Sequence, residues 1–224
     1  MQLIAHIESP FPSKFGVPRQ AGLVATEARI VFEPPYRVAE ALRGIEAFSH
    51  LWLIWLFHQA VREGWSPTVR PPRLGGNRRV GVFASRSPFR PNPIGLSAVR
   101  LIGIEETACD GLVLRIEGAD LVSGTPILDI KPYLPYADSH PEAIGGFAHE
   151  RPQQTLQVAI PAHLLPLVPP ELLTHLTATL AHDPRPHYHT APDRLYHLEF
   201  ATLEVAFRVA GQQLDVVAID VKNS

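Results

Sequence analysis

Six short polar segments could carry chemistry, and five of them contain proline or glycine. Because proline and glycine disfavour regular structure, each segment is predicted to be a loop that precedes or follows a strand. Loops held on a rigid scaffold are where binding and catalytic sites are commonly built. The six segments are Pro18-Arg19-Gln20, His58-Gln59, 70–77 (RPPRLGGN), 85–95 (SRSPFRPNPIG), 120–126 (DLVSGTP) and 129–133 (DIKPY).

Positive charge is concentrated between Gly64 and Ile104, although the whole chain has a formal net charge of −2. This stretch contains no Asp or Glu and carries +7, so the rest of the chain carries −9. The planar guanidinium of arginine suits bidentate contacts to phosphate or carboxylate. The distribution favours a surface that docks on a polyanion, and a solubilising arginine-rich face is the alternative. The arginines of the stretch are Arg70, Arg73, Arg78, Arg79, Arg86, Arg90 and Arg100.

Sequence motifs of the common nucleotide-binding, hydrolase and thiolate–zinc sites do not occur in this chain. There is no G-x-G-x-x-G, G-x-x-x-x-G-K-[ST] or G-x-S-x-G pattern. The single cysteine, Cys109, excludes an internal disulfide and a zinc site built on several thiolates, and it fits a reducing cytoplasm. No histidine pair stands at i, i+4 on a predicted helix with a third ligand in view, so we predict no metal site. From composition alone, the prediction ends at an arginine-rich site on a β-rich domain, with a nucleotide as one candidate ligand.

The length of 224 residues suggests one or two domains, large enough to bury a core without disulfides or metal. No apolar run reaches the roughly 18 residues of a membrane span, and the N-terminus does not resemble a secretion signal. Short strand patterns with turn signals between them favour an antiparallel barrel or sandwich. Strands are predicted at 2–8, 50–57, 79–84, 95–105, 111–117 and 127–131, and a helix weakened by Gly44 at 37–48.

The composition changes near residues 137–151, where Ser, Pro, Gly and His become frequent. We therefore predict two domains, residues 1–145 and residues 146–224. The second is expected to be a small α+β unit with a strand at 156–160, a helix at 171–182, and strands at 198–209 and 213–221.

Several long segments of the chain resemble the TrmO (TsaA-like) family. They are KFGVPRQAGL (14–23), RGIEAFSHLWLIWLFHQ (43–59), RPPRLGGN (70–77), GVFASRSPFRPNPIGLS (81–97), DLVSGTPILDIKPYLPY (120–136) and DPRPHY (183–188). The resemblance implies a single-sheeted antiparallel β-barrel that works as a homodimer. It also implies an S-adenosylmethionine-dependent methyltransferase acting on N6 of N6-threonylcarbamoyladenosine beside the anticodon, typically in a threonine tRNA.

The same resemblance implies a set of residues that bind the cofactor. Among them, Arg19 or Arg86 could pair with the methionyl carboxylate of S-adenosylmethionine. Asp120 could accept from its ammonium or ribose hydroxyls, and Leu96 and Leu121 could sandwich its adenine, with core packing as the alternative for both leucines. Ser123 stands where the family often has a second Asp. The full set is Pro18, Arg19, Gln20, His58, Gln59, Arg86, Leu96, Asp120, Leu121, Val122 and Ser123.

The acceptor nitrogen implied by the resemblance is urea-like, so it is a poor nucleophile until its proton is lost. A base or a strong hydrogen-bond acceptor beside it would help. The candidates, in falling order, are Asp129, His58 and Tyr133, and for Asp129 a structural salt bridge to Lys131 or an arginine is the alternative. Lys131 or an arginine could stabilise charge on the carbamoyl oxygen.

The resemblance gives the arginine-rich stretch a partner, the anticodon stem-loop of tRNA. We expect phosphate contacts from Arg70, Arg73, Arg78, Arg79 and Arg90. Arg185 could add a contact and Tyr188 could stack on a loop base, with a turn around a buried tyrosine as the alternative. Two other functions stay open: a non-catalytic RNA- or nucleotide-binding module, and a metal-dependent hydrolase.

Overall fold

The structure, a computed structural model, describes residues 1–149, 156–185 and 194–222. Within these ranges the chain is mainly β, as predicted. None of the described helices is long and apolar enough to span a membrane. The described strands and α-helices are β1 (Ala5–Glu8), β2 (Glu27–Phe32), β3 (His50–Leu56), β4 (Thr68–Val69), β5 (Val80–Gly81), β6 (Ile94–Thr107), β7 (Gly111–Glu117), β8 (Pro126–Pro132), α1 (Pro135–Asp138), β9 (Gln157–Ala159), α2 (Pro170–Ala181), β10 (Tyr196–Phe200), β11 (Leu203–Ala210) and β12 (Gln213–Val221).

Six of these strands close into a barrel in the order β1-β2-β7-β6-β3-β8. Every neighbouring pair is antiparallel. In β3, Leu51, Leu53 and Trp55 are buried, whereas Trp52 and Ile54 lie on the opposite face and remain partly exposed. Because successive side chains of a strand point to opposite faces, this alternation fills the interior of the ring with one apolar core.

A second unit consists of a four-stranded sheet, ordered β10-β11-β12-β9, and helix α2. Helix α2 has proline at its first position, where the missing N–H costs nothing and the fixed φ suits a helix. Leu176 and Leu180 stand one turn apart and are completely buried. They pack with the inner face of the sheet into a separate apolar core.

The two cores are joined by the connection between β1 and β2. Phe11, in that connection, belongs to the core of the second unit and is completely buried. Phe15 and Val17 pack against the same core. The backbone amide of Ala201 also donates a hydrogen bond to the carbonyl of Pro10 at 2.7 Å. This connection leads directly to Pro18-Arg19-Gln20, so the second unit supports one of the predicted site loops.

Three expectations about local structure are wrong. The predicted helix at 37–48 is two single-turn 3-10 helices, Ala39–Leu42 and Ile45–Ala47, because Gly44 between them adopts a left-handed φ of 88°. The predicted strand at 79–84 is reduced to β5, followed by a 3-10 turn. The predicted strand at 198–209 is two strands with a turn at Ala201, whose φ is 51°. Strand β2 was not predicted.

Candidate functional site

Two predicted site loops lie side by side at one end of the barrel. The Ser9 hydroxyl donates to the carbonyl of Leu121 at 2.8 Å, and the amide of Ser123 donates to the carbonyl of Phe11 at 2.8 Å. Further along, the amide of Gly22 donates to the carbonyl of Gly118 at 2.8 Å. Backbone bonds of this kind fix the 118–124 loop against the β1–β2 connection, which carries Pro18-Arg19-Gln20.

Asp120 is at the centre of this junction. Its carboxylate accepts a hydrogen bond from the Ser97 hydroxyl at 2.5 Å, and Ser97 accepts one from the Trp55 indole at 3.0 Å. Burial raises the pKa of Asp120, while the hydrogen bond from Ser97, bonds from its own amide and that of Ala21, and the charge of Arg86 oppose the rise. Asp120 is therefore a desolvated carboxylate held ready for a hydrogen-bond donor or a cation.

Two basic loops approach the same point. The Arg86 guanidinium donates to the side-chain oxygen of Gln20, and the Gln20 amide donates to the carbonyl of Arg19. Arg19 in turn donates to the carbonyl of Arg185 at 3.1 Å. The pKa of Arg19 is lowered by partial burial and by the nearby charge of Arg73, although Asp183 works in the opposite direction. The guanidinium of Arg86, the side-chain amide of Gln20 and the carboxylate of Asp120 thus lie close together at this end of the barrel.

The His58-Gln59 segment belongs to the same end of the barrel. It forms a 3-10 turn, His58–Ala60, immediately after β3. The Lys14 ammonium donates to the carbonyl of Gln59 at 3.2 Å and so connects this turn to the β1–β2 connection. His58 itself is half-buried.

The two leucines of the predicted adenine sandwich have different environments. Leu96 is 56% exposed on the outer face of β6, so it is free to contact a ligand. Leu121 is 1% exposed and belongs to the barrel core, so its side chain cannot form one side of a sandwich in this conformation. Core packing is thus the role of Leu121, and only its backbone faces the loop. The neighbouring Val122 carbonyl is engaged in the turn, since it accepts from the Thr125 hydroxyl at 2.6 Å.

Two of the candidate catalytic side chains, Asp129 and Lys131, lie on the outer face of β8, whereas Tyr133 follows β8 and His58 lies in the turn after β3. Ile54 of β3 stands opposite Leu96 of β6 on one side and Asp129 of β8 on the other. At strand spacings near 4.8 Å, the Leu96 and Asp129 backbones are about 10 Å apart. Asp129 pairs with Lys131 at 2.8 Å, as the structural alternative anticipated. The ring of Tyr133 lies 5.5 Å from that of Trp52.

Part of the arginine-rich stretch, residues 68–81, forms a small two-stranded ribbon. Strands β4 and β5 pair antiparallel, and Arg70, Arg78 and Arg79 lie between them, all exposed. In the described ranges none of these three forms an ion pair. At the base of the ribbon, Trp65 and Phe83 are 54% and 73% exposed with ring centroids 6.1 Å apart.

The remaining residues predicted to contact tRNA, Arg90, Arg185 and Tyr188, differ in how available their side chains are. Arg90 donates to the carbonyl of Ser85 at 3.1 Å, so it helps to shape its own loop. Arg185 is bound by Asp183 through two side-chain hydrogen bonds of 2.8 and 3.0 Å, and its side chain is only 13% exposed. Because it is enclosed and already paired, Arg185 does not fit the predicted role of phosphate contact. Tyr188 lies outside the described residues.

Several site residues were missed from the sequence. Ser97 and Trp55 follow from strand alternation once the inward face is known, because each stands next to an outward-facing residue. Asp183 begins the DPRPHY motif, but its interaction with Arg19 joins distant parts of the chain and so could not be predicted. Within the described ranges no group of three or more His, Cys, Asp or Glu side chains is arranged to hold a metal ion, and His187 and His189 lie outside those ranges.

Comparisons with known proteins find the same family of relatives over nearly the whole chain. A family model described as tRNA-methyltransferase O N-terminal domain matches residues 6–139, and one described as TrmO C-terminal domain matches residues 155–222. An Escherichia coli (strain K12) protein named tRNA (adenine(37)-N6)-methyltransferase is 45% identical over 228 residues, which covers 97% of this chain and 96% of that protein.

Two further relatives come from Pseudomonas aeruginosa. A protein named putative S-adenosylmethionine-dependent methyltransferase RcsF is 44% identical and covers 90% of this chain and 89% of its own length. A crystal structure of TrmO from this organism is 35% identical, with a TM-score of 0.77, and covers 98% of this chain and 95% of the other. The fold and the similarities define an S-adenosylmethionine-dependent tRNA methyltransferase. Within that class, the chain belongs to the TrmO family.

Proposed function

We propose that the protein transfers a methyl group from S-adenosylmethionine to N6 of N6-threonylcarbamoyladenosine, beside the anticodon of tRNA and typically of a threonine tRNA. The names of the relatives, which specify adenine 37 and N6, support this reaction. We further propose that it acts in the cytoplasm, which suits a tRNA substrate and the exposed free thiol of Cys109. Residues 1–145 would supply the donor and acceptor sites, and residues 146–224 would support them.

The single observation that carries the proposal is the meeting of Asp120, Arg86 and Gln20 at one end of the barrel. S-adenosylmethionine presents an ammonium, a carboxylate, ribose hydroxyls and an adenine, and it supplies a methyl group on a positively charged sulfur. Asp120 suits the ammonium or the hydroxyls, and Arg86 or Arg19 suits the carboxylate. The exposed Leu96 suits an apolar ring face. The residues present therefore fit the cofactor.

The other residues of the inferred donor set have supporting positions. His58 and Gln59 form the turn after β3, and Pro18 precedes the two polar side chains of its loop. Of the 121–123 segment, Leu121 packs in the core, and Ser123 lies in the backbone-bonded loop junction. We therefore propose that Leu121, Val122 and Ser123 contact the donor through backbone atoms other than the Leu121 and Val122 carbonyls and the Ser123 amide, which bond within the loop junction. A serine in place of a second aspartate is compatible with such contacts.

The acceptor nitrogen must lose its proton during transfer. We propose that Asp129 accepts it, with His58 and Tyr133 as the next candidates. Lys131, whose ammonium is 2.8 Å from the Asp129 carboxylate, would stabilise negative charge on the carbamoyl oxygen. The register supports this proposal, because Asp129 lies across one strand from Leu96 and the two backbones are about 10 Å apart. The extruded adenine would lie over Ile54, the partly exposed residue between Leu96 and Asp129.

The ribbon between β4 and β5 is proposed to bind the anticodon stem-loop. Arg70, Arg78 and Arg79 are exposed on it, and Arg73 lies on the same segment. Such a cluster attracts phosphates and displaces their counterions. The neighbouring exposed rings of Trp65 and Phe83 suit stacking against unpaired bases, which is how single-stranded RNA is commonly held.

A homodimer, implied by the family resemblance, is also proposed. The crevice beside Pro18 and Arg19 has a volume of about 50 Å³. Sites for drug-sized ligands occupy roughly 300–1,000 Å³. A second copy that packed on the exposed Leu96 face would enclose the donor further. Tyr136 and Ile144, which are 87% and 90% exposed, provide additional apolar surface for that contact.

The proposal is tested by incubating the protein with tRNA and S-adenosylmethionine labelled in the methyl group. Label transferred to tRNA, and reduced at least tenfold by Asp120→Asn, supports the enzyme. A non-catalytic binding module is the second candidate, because the basic ribbon by itself accounts for binding. Retention of tRNA without any transfer of label, at saturating concentrations of both substrates, would support that module instead. A fluorescent or filter-binding measurement on the same samples distinguishes the two.

A further inference from the structure

The β1–β2 connection is anchored in the core of the second unit. Phe11 meets Phe200 edge to face with centroids 5.7 Å apart, and Phe15 stacks on Tyr196 and Phe207 at 6.5 and 6.4 Å. Rings packed in this way contribute energy beyond their buried area and fix each other's orientation. The segment between Phe11 and Pro18 is therefore anchored in the C-terminal sheet by its aromatic side chains, in addition to its hydrogen bonds to Ser123 and Gln59 of the barrel.

Gly16 allows the β1–β2 connection to approach the C-terminal sheet more closely than a residue with a side chain could. It adopts a φ of 93°, a conformation that side-chain-bearing residues rarely take, and a Cβ at this position would overlap the side chain of Leu198. Leu198 is completely buried in β10. The connection thus lies directly against the C-terminal sheet two residues before Pro18.

A second anchor holds the end of the same loop. Asp183, which follows α2 with a φ of 50°, binds the Arg185 guanidinium in a bidentate pair and also accepts from the Arg185 amide at 3.2 Å. The pair orients the Arg185 carbonyl, which accepts from the Arg19 guanidinium at 3.1 Å. Asp183 also acts electrostatically on Arg19. Two polar residues of the C-terminal unit therefore determine where the Arg19 side chain lies.

We propose that Asp183 and Arg185 are positioning residues of the methyl-donor site, and that the C-terminal unit completes this site by holding Arg19. This inference rests on the proposed function, because it assigns Arg19 to the donor. It replaces the expectation that Arg185 binds tRNA: a side chain that is 13% exposed and paired with Asp183 has little capacity left for a phosphate.

The two roles of Arg185 predict different binding behaviour. A positioning residue acts on the donor when no tRNA is present, whereas a phosphate contact affects only tRNA binding. The test is calorimetric titration of the full-length protein with S-adenosylhomocysteine in the absence of tRNA. Arg185→Ala is expected to raise the dissociation constant about tenfold, the loss expected for one charge-assisted hydrogen bond. Arg208→Ala, which removes an exposed arginine from β11, is the matched control and is expected to leave it unchanged.

A double-mutant cycle separates positioning from a general structural effect. If Arg185 acts through Arg19, then Arg185→Ala in an Arg19→Ala background changes donor affinity less than twofold. An equal loss in both backgrounds would overturn the proposal. If Arg185→Ala does not fold, Arg185→Lys serves instead, because one ammonium cannot reproduce the bidentate pair. It is expected to weaken donor binding about threefold, and unchanged binding would overturn the proposal.

The controls also separate this inference from the proposed function. If the wild-type chain binds no S-adenosylhomocysteine, both fail. If the wild type binds it and Arg185→Ala binds it equally well while losing tRNA affinity, only the positioning role fails. Weaker donor binding with unchanged tRNA affinity is the result expected here.

Discussion

The Ser97 hydroxyl donates a hydrogen bond of 2.5 Å to the Asp120 carboxylate. Ser97 in turn accepts a hydrogen bond from the indole of Trp55, which belongs to the barrel core. A desolvated carboxylate is costly unless its lone pairs are satisfied. The amide of Ala21 contributes another bond from the β1–β2 connection. Asp120 therefore accepts hydrogen bonds both from the barrel, through Ser97, and from the β1–β2 connection, through Ala21. Protonation of Asp120 would weaken both bonds.

Donor affinity should depend on the ionisation of Asp120. Burial raises its pKa, so the carboxyl stays protonated to a higher pH than an exposed aspartate. Because a donor ammonium favours the ionised form, affinity for S-adenosylhomocysteine is expected to rise as pH increases through this pKa and then to level off. Asp120→Asn should weaken binding at pH 7 about ten- to hundredfold and remove the rise. Calorimetry between about pH 4 and pH 7 measures both.

Ser97→Ala is the companion variant. It removes a bond that stabilises ionised Asp120, so the affinity curve should move to higher pH. Folding stability should change with pH in the direction opposite to donor affinity. Asp120 binds its proton more tightly in the native state than in the unfolded chain. The free energy of unfolding should therefore fall as pH rises from the unfolded-state pKa of Asp120 to its native-state pKa. Asp120→Asn should abolish this fall. An identical pH profile for wild type and Asp120→Asn would contradict the assignment.

The ribbon arginines should contribute to tRNA affinity through counterion release. Replacement of Arg78 or Arg79 by alanine is expected to weaken tRNA binding and to reduce the slope of log K against log salt by roughly 0.7–0.9 per phosphate contact. Arg43→Ala, an exposed arginine before β3, is the control. Fluorescence anisotropy at several salt concentrations provides the slopes. Equal slopes for all four proteins would argue against the ribbon.

The exposed aromatic pair should contribute a term that does not depend on salt. Phe83→Ala is expected to weaken binding of an anticodon stem-loop about five- to hundredfold, since a stacked base contributes roughly 1–3 kcal/mol. Phe83→Tyr retains the ring and should bind like the wild type. Donor affinity should be unaffected in both. Full tRNA affinity in Phe83→Ala would show that this ring is not a stacking platform.

Several strands of the barrel were predictable because their signal is local. Short apolar runs such as 50–57 are bounded by turn residues, so the strand positions could be predicted from the sequence, whereas the choice of a barrel over a sandwich came from the family resemblance. The helix at 37–48 failed for a local reason as well, since the apolar spacing was helical but Gly44 takes a left-handed φ. Loop residues such as Asp120 and Arg86 were identified through the family resemblance, because nothing in their spacing specifies a methyl donor.

The contact between Arg19 and Arg185 could not be predicted, because it joins residues 166 positions apart. The role of Leu121 was ambiguous for a different reason. A leucine in a polar loop suits either a ligand face or a core, and only its complete burial decides for the core. The sequence thus indicated the candidate loops, whereas tertiary packing decides which of their side chains are exposed.

The proposed role of Asp129 as general base predicts a specific loss of turnover. If Asp129 accepts the proton from the acceptor nitrogen, Asp129→Asn should lower turnover at saturating tRNA and donor about a hundredfold or more, a typical contribution of general base catalysis. Lys131→Met is the comparison, because it breaks the same ion pair without removing the carboxylate. Near wild-type turnover in Asp129→Asn would leave Asp129 with only its salt bridge, and His58 would become the next candidate.

The central claim is that the loops at one end of the barrel bring S-adenosylmethionine to a modified adenine of tRNA. The most direct measurement uses two preparations of one tRNA, with and without the threonylcarbamoyl group, each incubated with labelled donor and analysed by nucleoside mass spectrometry. The claim predicts one added methyl group on N6-threonylcarbamoyladenosine in the first preparation and none in the second. Methylation of a different nucleoside, or equal methylation of both preparations, would contradict it.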